Sequence, residues 1–373
     1  MRLLSYIFSF FILSVVPSCN KDTESVSTRS FYMGVTPWPA DFTVSEVTNA
    51  YNFINNNCDI VSHHFDDGIP YQEALLKQPM PVVFQEEISF RKNNTAPGKK
   101  IFLSIAPLNL SRREKADYYK ESGIEITDSI KNIWNQCSFD DPKLAEAYVN
   151  YCSYLIDHFN PGYVNYGVES NADNWDPVKF NAYKKFLSQV YSKLTVKYPA
   201  IPFFISFMVS ENPVGFSLAT QLLSYTDYIG LSAYPYTSVS SSADGNTDPA
   251  KFPADYFIRY IDLDKSKPFV FAETGYISED LRIPAFNLNK KGNANWQQAY
   301  LEKICTLANE RKAKFIIWFC QKDYDAGNLT LKSLNLYQDI FAFWEDTGLI
   351  DESGMERPAL QSWKNWLGKK KID

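Results

Sequence analysis

Two glutamates stand where short apolar runs give out. Glu169 ends Tyr163-Val-Asn-Tyr-Gly-Val-Glu169, and Glu273 ends Pro268-Phe-Val-Phe-Ala-Glu273. A carboxylate seldom follows an apolar strand into a crowded interior unless it is paired or used. Two such groups have a joint use. One can protonate a leaving glycosidic oxygen while the other attacks the anomeric carbon. Burial and mutual repulsion would keep one protonated and the other ionised. Retention of configuration would then set the carboxyls about 5–5.5 Å apart. The alternative is two unrelated ion pairs with Arg or Lys.

Sugar chemistry also asks for flat apolar surfaces, because pyranose rings present C–H faces to aromatic side chains while polar groups take the hydroxyls. The chain carries 27 Phe, 24 Tyr and 8 Trp, an aromatic content of 16 %. Most must be core, so position decides. Trp38, Tyr234, Tyr236 and Trp318 lie at or near the ends of apolar runs, Trp175 follows the Glu169 run, and Tyr71 sits in a loop with Asp66. Asn165 and Asn171 flank Glu169. His63 and His64 are adjacent, so on a strand they point to opposite faces and cannot share one ion. One lines the pocket and the other packs outside; His63 is assigned to the pocket, with Asp66 beside it. No metal site and no cofactor are expected. Ser104 and Ser206 close apolar runs without a visible His-plus-acid set. Ser111 opens what reads as a capping box, which makes Arg112-Arg113-Glu114-Lys115 a solvated helix face.

Eight short apolar runs must position these groups: 31–38, 59–64, 100–106, 163–169, 202–208, 228–234, 268–273 and 314–319. They lack strict alternation, as strands covered on both faces should. Helical patterns lie between them at 142–159, 177–198, 213–224, 254–261 and 295–312, with another opened by the Thr43–Glu46 capping box and a last one at 358–367. This rhythm argues for α/β class and a (β/α)8 TIM barrel forming a single domain over 31–368. No Gly-rich phosphate loop follows any run, which weighs against a doubly wound sheet. Polar stretches at 91–98 and 237–248 read as long loops. The net charge of −6 leaves no basic footprint for nucleic acid.

The N-terminus reads as an export segment. Arg2 precedes an apolar run from Leu3 to Val16, and Pro17-Ser18-Cys19 follows. A small residue before Cys resembles a bacterial lipobox, although Pro17 is unusual there. The resemblance implies a signal peptide over 1–18, lipid on Cys19, and a polar tether over 19–30. That places the chain in the bacterial cell envelope, lipid-anchored at the outer membrane and facing the periplasm or the surface. The other five cysteines are scattered and do not form a disulfide framework.

Several segments resemble the clan A glycoside hydrolases, and among them the endo-β-1,4-galactanases: Phe31-Tyr-Met-Gly-Val-Thr-Pro-Trp38, Asp227-Tyr-Ile-Gly-Leu-Ser-Ala-Tyr-Pro-Tyr236, Phe271-Ala-Glu-Thr-Gly-Tyr276, and Thr347-Gly-Leu-Ile-Asp with Glu356-Arg-Pro-Ala359. The resemblance implies an acid/base at Glu169, a nucleophile at Glu273, and a sugar floor at Trp318. It departs at Val168, where the clan usually carries an Asn that binds the sugar 2-hydroxyl. The expectation is a monomeric retaining glycoside hydrolase acting on a polysaccharide or oligosaccharide. The alternative is a non-catalytic glycan-binding surface lipoprotein on a degenerate barrel.

Overall fold

The computed structural model describes residues 27–120, 126–238 and 245–372. Eight parallel strands close into a barrel: β1 (Tyr32–Val35), β2 (Ile60–Phe65), β3 (Lys100–Ile105), β4 (Tyr163–Gly167), β5 (Phe203–Met208), β6 (Ile229–Ala233), β7 (Phe269–Thr274) and β8 (Phe315–Trp318). Each pairs with its sequence neighbours, and β8 returns to β1 with Phe315 opposite Tyr32. This is the expected TIM barrel, and every strand falls on an anticipated apolar run, with β2 and β7 each ending one residue beyond it.

The barrel interior is filled from the foot by aromatic rings. Phe102, Phe204 and Phe315 meet inside with Ile60, Val270, Ala272 and Ile317, and Tyr32, Tyr163 and Tyr228 pack against them. Phe102 and Phe315 have centroids 4.8 Å apart. One strand step nearer the mouth, where the strands end, the inner face turns to hydroxyls: Phe102 is followed on its face by Ser104, Phe204 by Ser206, and Gly230 by Ser232. A Cβ on Gly230 would lie 2.8 Å from the Ile205 carbonyl oxygen, so the residue must be glycine for β5 and β6 to approach beside Phe204.

The outer faces of the strands pack under helices with clear start signals. Asp141 caps Pro142–Phe159 through the Lys143 N–H, Asp176 caps Pro177–Lys197, and Asn212 caps Pro213–Thr220, each with Pro in the first turn. Pro142–Phe159 buries Leu144, Tyr148, Tyr151, Leu155 and Phe159 at helical spacing. Each such side chain contributes about 1.5–3 kcal/mol. The Tyr148 hydroxyl, wholly buried, lies 2.9 Å from the Ile105 carbonyl and 2.8 Å from that of Tyr166, so it holds the helix against β3 and β4.

Several local expectations fail. Residues 91–94 are not loop but the last turn of a helix, Val82–Asn94, because Phe84 and Ile88 bury one face of it. The 112–115 run forms no helix: it bends so that Arg112 reaches the barrel mouth, and Lys115 bridges back to Leu108. Also not anticipated were the helices Tyr71–Leu76, Asp128–Gln136 and Asp325–Ser333, a small antiparallel pair, Leu281–Ile283 with Leu288–Lys290, and a 3-10 helix, Asp339–Trp344. The expected loop at 237–248 is described only at its ends.

The described ends of the chain meet at the foot. Thr28 and Arg29 pair in parallel with Lys370 and Lys371. Arg29 is buried, forms an ion pair with Asp59 at 2.7 Å, and donates to the Phe31 and Leu367 carbonyls. Residues 1–26, including Cys19 and the apolar export run, lie outside the described residues. Among the described residues, no helix is long and apolar enough to cross a membrane, and the five cysteines are free thiols.

Candidate active site

Glu169 and Glu273 face each other across the mouth, each delivered by an irregular strand end. In β7, Phe271 to Glu273 spans the same step as Leu231 to Ser232 in β6, so β7 carries one extra residue there. The bulge lets consecutive residues Ala272 and Glu273 both serve the interior. Gly275 follows, where a Cβ would meet the Phe319 carbonyl at 2.4 Å and the Tyr234 ring at 3.2 Å. Glu169 lies just beyond β4 with φ +51°, the left-handed region that non-glycine residues seldom occupy and that recurs at functional sites. Ser206 holds that backbone by accepting the Glu169 N–H at 3.0 Å. Asn165, inside the barrel, donates to the same hydroxyl at 2.9 Å.

The two carboxyls have unlike partners. Arg112 Nε donates to Glu169 at 2.7 Å, and the Ser232 hydroxyl donates to its other oxygen at 2.5 Å. Glu273 accepts from the Tyr234 hydroxyl at 2.6 Å. His64 completes the floor, with Nε2 3.1 Å from Asp66 and Nδ1 3.0 Å from the Ser104 hydroxyl. Arg112 also lies 3.8 Å from Asp66, which makes it the cation shared by both acids.

These surroundings set the charges. Burial raises the Glu273 pKa; His64 opposes this, the Glu169 charge reinforces it, and Tyr234 and Arg112 oppose it, with a net rise above 4.5. Burial works against charge on His64, yet Asp66 and Glu273 carry its pKa above 6.5. Burial would raise Asp66, but His64 and Arg112 outweigh it and hold the carboxyl well below its ordinary range. The Tyr234 hydroxyl stays protonated, because burial and the neighbouring Glu273 push its pKa far up.

The remaining sequence candidates divide. Trp38 is half-buried at the mouth, 5.8 Å from the Phe319 ring, with its indole N–H unpaired. Trp318 is wholly buried on the outer face, donating to the Thr347 carbonyl. Phe315 and Ile317 take the inner face of β8, so the next residue on that face is Phe319. His63 likewise points outward. It shares its face with Val61 and packs 4.6 Å from Phe159, while Ile60 and His64 share the inner face. Burial lowers the His63 pKa, so it is a neutral packed ring. Trp175 stacks on Tyr183 at 5.1 Å, Tyr71 stacks on Trp134 and donates to the Ala116 carbonyl, and Tyr236 is buried with its hydroxyl on the Phe343 carbonyl. All three are scaffold rather than mouth. Asn171 is buried too, bracing Met208 and Gly215 through their backbones. Asn165 acts beneath Glu169 through Ser206 rather than in the open cleft. Val168, at the position of the clan's Asn, is buried.

Sequence reasoning missed Arg112, His64, Ser232, Phe319 and Trp344. Arg112 has φ +57° and lies beyond the end of β3, where barrel loops carry function. Its nearness to a strand end was the available signal, masked by the capping-box pattern. Nothing in the sequence marks Trp344. Among the described residues, two carboxylate sets lie close enough to share a cation: Glu279, Asp323 and Glu352, and Asp323, Asp325 and Asp346. Arg357 already pairs with Asp323 and with Glu279 there.

No family model and no curated protein matches the sequence. Solved structures do match the fold. The chain is similar to the exo-β-1,4-mannosidase of Opitutaceae bacterium strain TAV5, with 16 % identity and a TM-score of 0.58 over 90 % of this chain, but spans only 59 % of the mannosidase chain. It is similar to the GH53 catalytic domain of Ignisphaera aggregans, with 16 % identity and a TM-score of 0.59, covering 90 % of this chain and 96 % of that one. Xylanase 10B of Thermotoga maritima matches at 12 % identity and a TM-score of 0.53, covering 91 % and 95 %. The chain therefore has the (β/α)8 barrel fold that these glycoside hydrolases share.

Proposed function

We propose that the protein is a retaining glycoside hydrolase acting on a polysaccharide or oligosaccharide, with Glu169 as acid/base and Glu273 as nucleophile. One observation carries the reading: the two carboxyls converge at one barrel mouth, each fixed by different donors, with Arg112 and Ser232 on Glu169 and Tyr234 on Glu273. The barrel similarity to a mannosidase, a GH53 domain and a xylanase supports it. In the first step Glu273 attacks the anomeric carbon as the glycosidic bond breaks, and Glu169 gives its proton to the leaving oxygen. In the second, Glu169 takes a proton from water, which displaces Glu273 and retains the configuration. Arg112 must release Glu169 for that oxygen to be reached. His64 offsets charge on Glu273, and Tyr234 orients it. The test is sugar release from a polysaccharide panel by wild type and by Glu273→Gln, with the product anomer read by NMR. Near-complete loss in the variant and a retained anomer are expected; an active variant rejects the assignment.

A second reading, a glycan-binding barrel without hydrolysis, is favoured by the Arg112–Glu169 ion pair, which occupies the intended proton donor, and by Val168. Glycan binding with no released sugar from wild type would select it. Under either reading we place the protein in the bacterial envelope, anchored by lipid on Cys19. Failure of Cys19→Ala to release it from membranes would exclude the anchor.

A further inference from the structure

Beyond the carboxylates, a continuous row of aromatic rings borders the mouth. Tyr234, whose hydroxyl bonds Glu273, lies 5.9 Å from Trp344. From Trp344 one arm passes to Phe343 at 6.0 Å and on to Phe286, stacked at 5.6 Å. The other passes to Phe319 at 6.3 Å, then to Trp38 at 5.8 Å and Phe42 at 6.0 Å. Phe286 and Phe42, at the two ends, are 50 % and 46 % exposed. The rings between them are half-buried.

The row is built rather than loose. The backbone that carries Phe343 and Trp344 is fastened at successive carbonyls: Tyr324 donates to Phe341, Tyr236 to Phe343, Thr347 to Trp344, and Ser278 to Asp346. The rings that this backbone presents are half-buried, partly open to water. A surface held in shape before its ligand arrives loses little entropy on binding.

Charge narrows the ligand. Directly after Trp344 come Glu345 and Asp346, close to Asp325 and Glu279, with Lys332 facing Glu345 and Arg357 facing Asp346. Above about pH 7, where Asp346 is ionised, this crowding repels a polyanion. The row also joins the carboxylate site without a break, through Tyr234.

We propose that this row, with Trp344, Phe343 and Phe286 as one arm and Phe319, Trp38 and Phe42 as the other, is an extended binding surface for a neutral polysaccharide chain, its pyranose faces stacked ring by ring. The proposal rests on the carboxylate reading only for where the chain is cut, not for whether it binds.

The test uses the whole protein carrying Glu273→Gln, so that no probe is consumed, and affinity gel electrophoresis with β-1,4-mannan, β-1,4-galactan, β-1,4-xylan, β-1,3-glucan and polygalacturonate. Retardation by at least one neutral chain and none by polygalacturonate is expected. Adding Phe286→Ala with Phe343→Ala should weaken that binding about tenfold or more, with circular dichroism and Tm reporting that the barrel is intact. Trp344→Phe, which keeps a ring, should retain most of it. Equal binding by the double variant overturns the proposal. So does binding of polygalacturonate alone, binding of none of the five, or size-exclusion evidence that the same rings join two copies of the chain. Ring-dependent binding by a wild type that releases no sugar leaves the proposal standing and rejects the hydrolase reading alone.

Discussion

Removing one hydroxyl should move the pH profile of the whole reaction. Tyr234 donates a 2.6 Å hydrogen bond to Glu273, and Tyr234→Phe deletes that donor while keeping the ring against Trp344. A hydrogen bond to a charged group contributes about 1.5–3 kcal/mol. At about 1.4 kcal/mol per pKa unit, its loss should raise the Glu273 pKa by about one to two units. The sign follows from which form the bond favours. The hydroxyl stabilises the carboxylate, so the variant holds its proton to higher pH, adding to a rise that burial already causes. A nucleophile must be ionised. The acid limb of kcat/KM against pH should therefore shift upward by that one to two units. The assay is hydrolysis of an aryl glycoside of the preferred sugar across the pH range, for both proteins, with Tm measured in parallel. An acid limb that stays in place, or moves to lower pH, would refute both the nucleophile role of Glu273 and the electrostatic account of its pKa.

The other expectations concern charge and placement. Arg112→Gln removes an ion pair that must break before Glu169 reaches the leaving oxygen, so kcat should hold or rise by up to about 10-fold, with KM little changed and Arg112→Lys between the two; steady-state kinetics decide. His63→Leu should leave kcat/KM near wild type while His64→Gln lowers it, since only His64 faces the carboxylates; the reverse order would overturn the facing described here. Asp346 has its pKa pushed up to about 7 by burial and by Asp325, Glu279 and Glu345. A raised carboxyl contributes stability that is present at low pH and fades between about 4 and about 7. Asp346→Asn should therefore raise Tm at pH 8 and leave it nearly unchanged at pH 4, as thermal melts would show.

What could be read from the sequence follows from the physics of doubly covered strands. Apolar runs and capped helices such as Pro142–Phe159 announce themselves, and a carboxylate at a strand end stands out against them. Facing does not. With both faces of a strand apolar, no residue marks the inside, so His63 and His64, or Trp318 and Phe319, differ only by a parity that the barrel sets elsewhere. Ile60 and Phe315 supply that reference once their neighbours are known. Arg112 was hidden for another reason: Ser111-Arg-Arg-Glu114 carries a helix-start pattern, but the fold uses the segment as a loop that sets a guanidinium between Asp66 and Glu169. Trp344 reaches the mouth through hydrogen bonds far apart in the chain, which no local pattern encodes.

The pairing of Thr28–Arg29 with Lys370–Lys371 gives the molecule a handle and an orientation. Both described ends of the polypeptide leave from the foot, and the ion pair of Arg29 with Asp59 ties that handle to the start of β2. A pull applied through residue 27 is borne by the base of the barrel, not by the loops that carry Arg112 or Trp344. Whatever grips the chain there leaves the open end turned away from the point of attachment. Linkers joined at residue 27 or residue 372 should, for the same reason, start clear of the cleft.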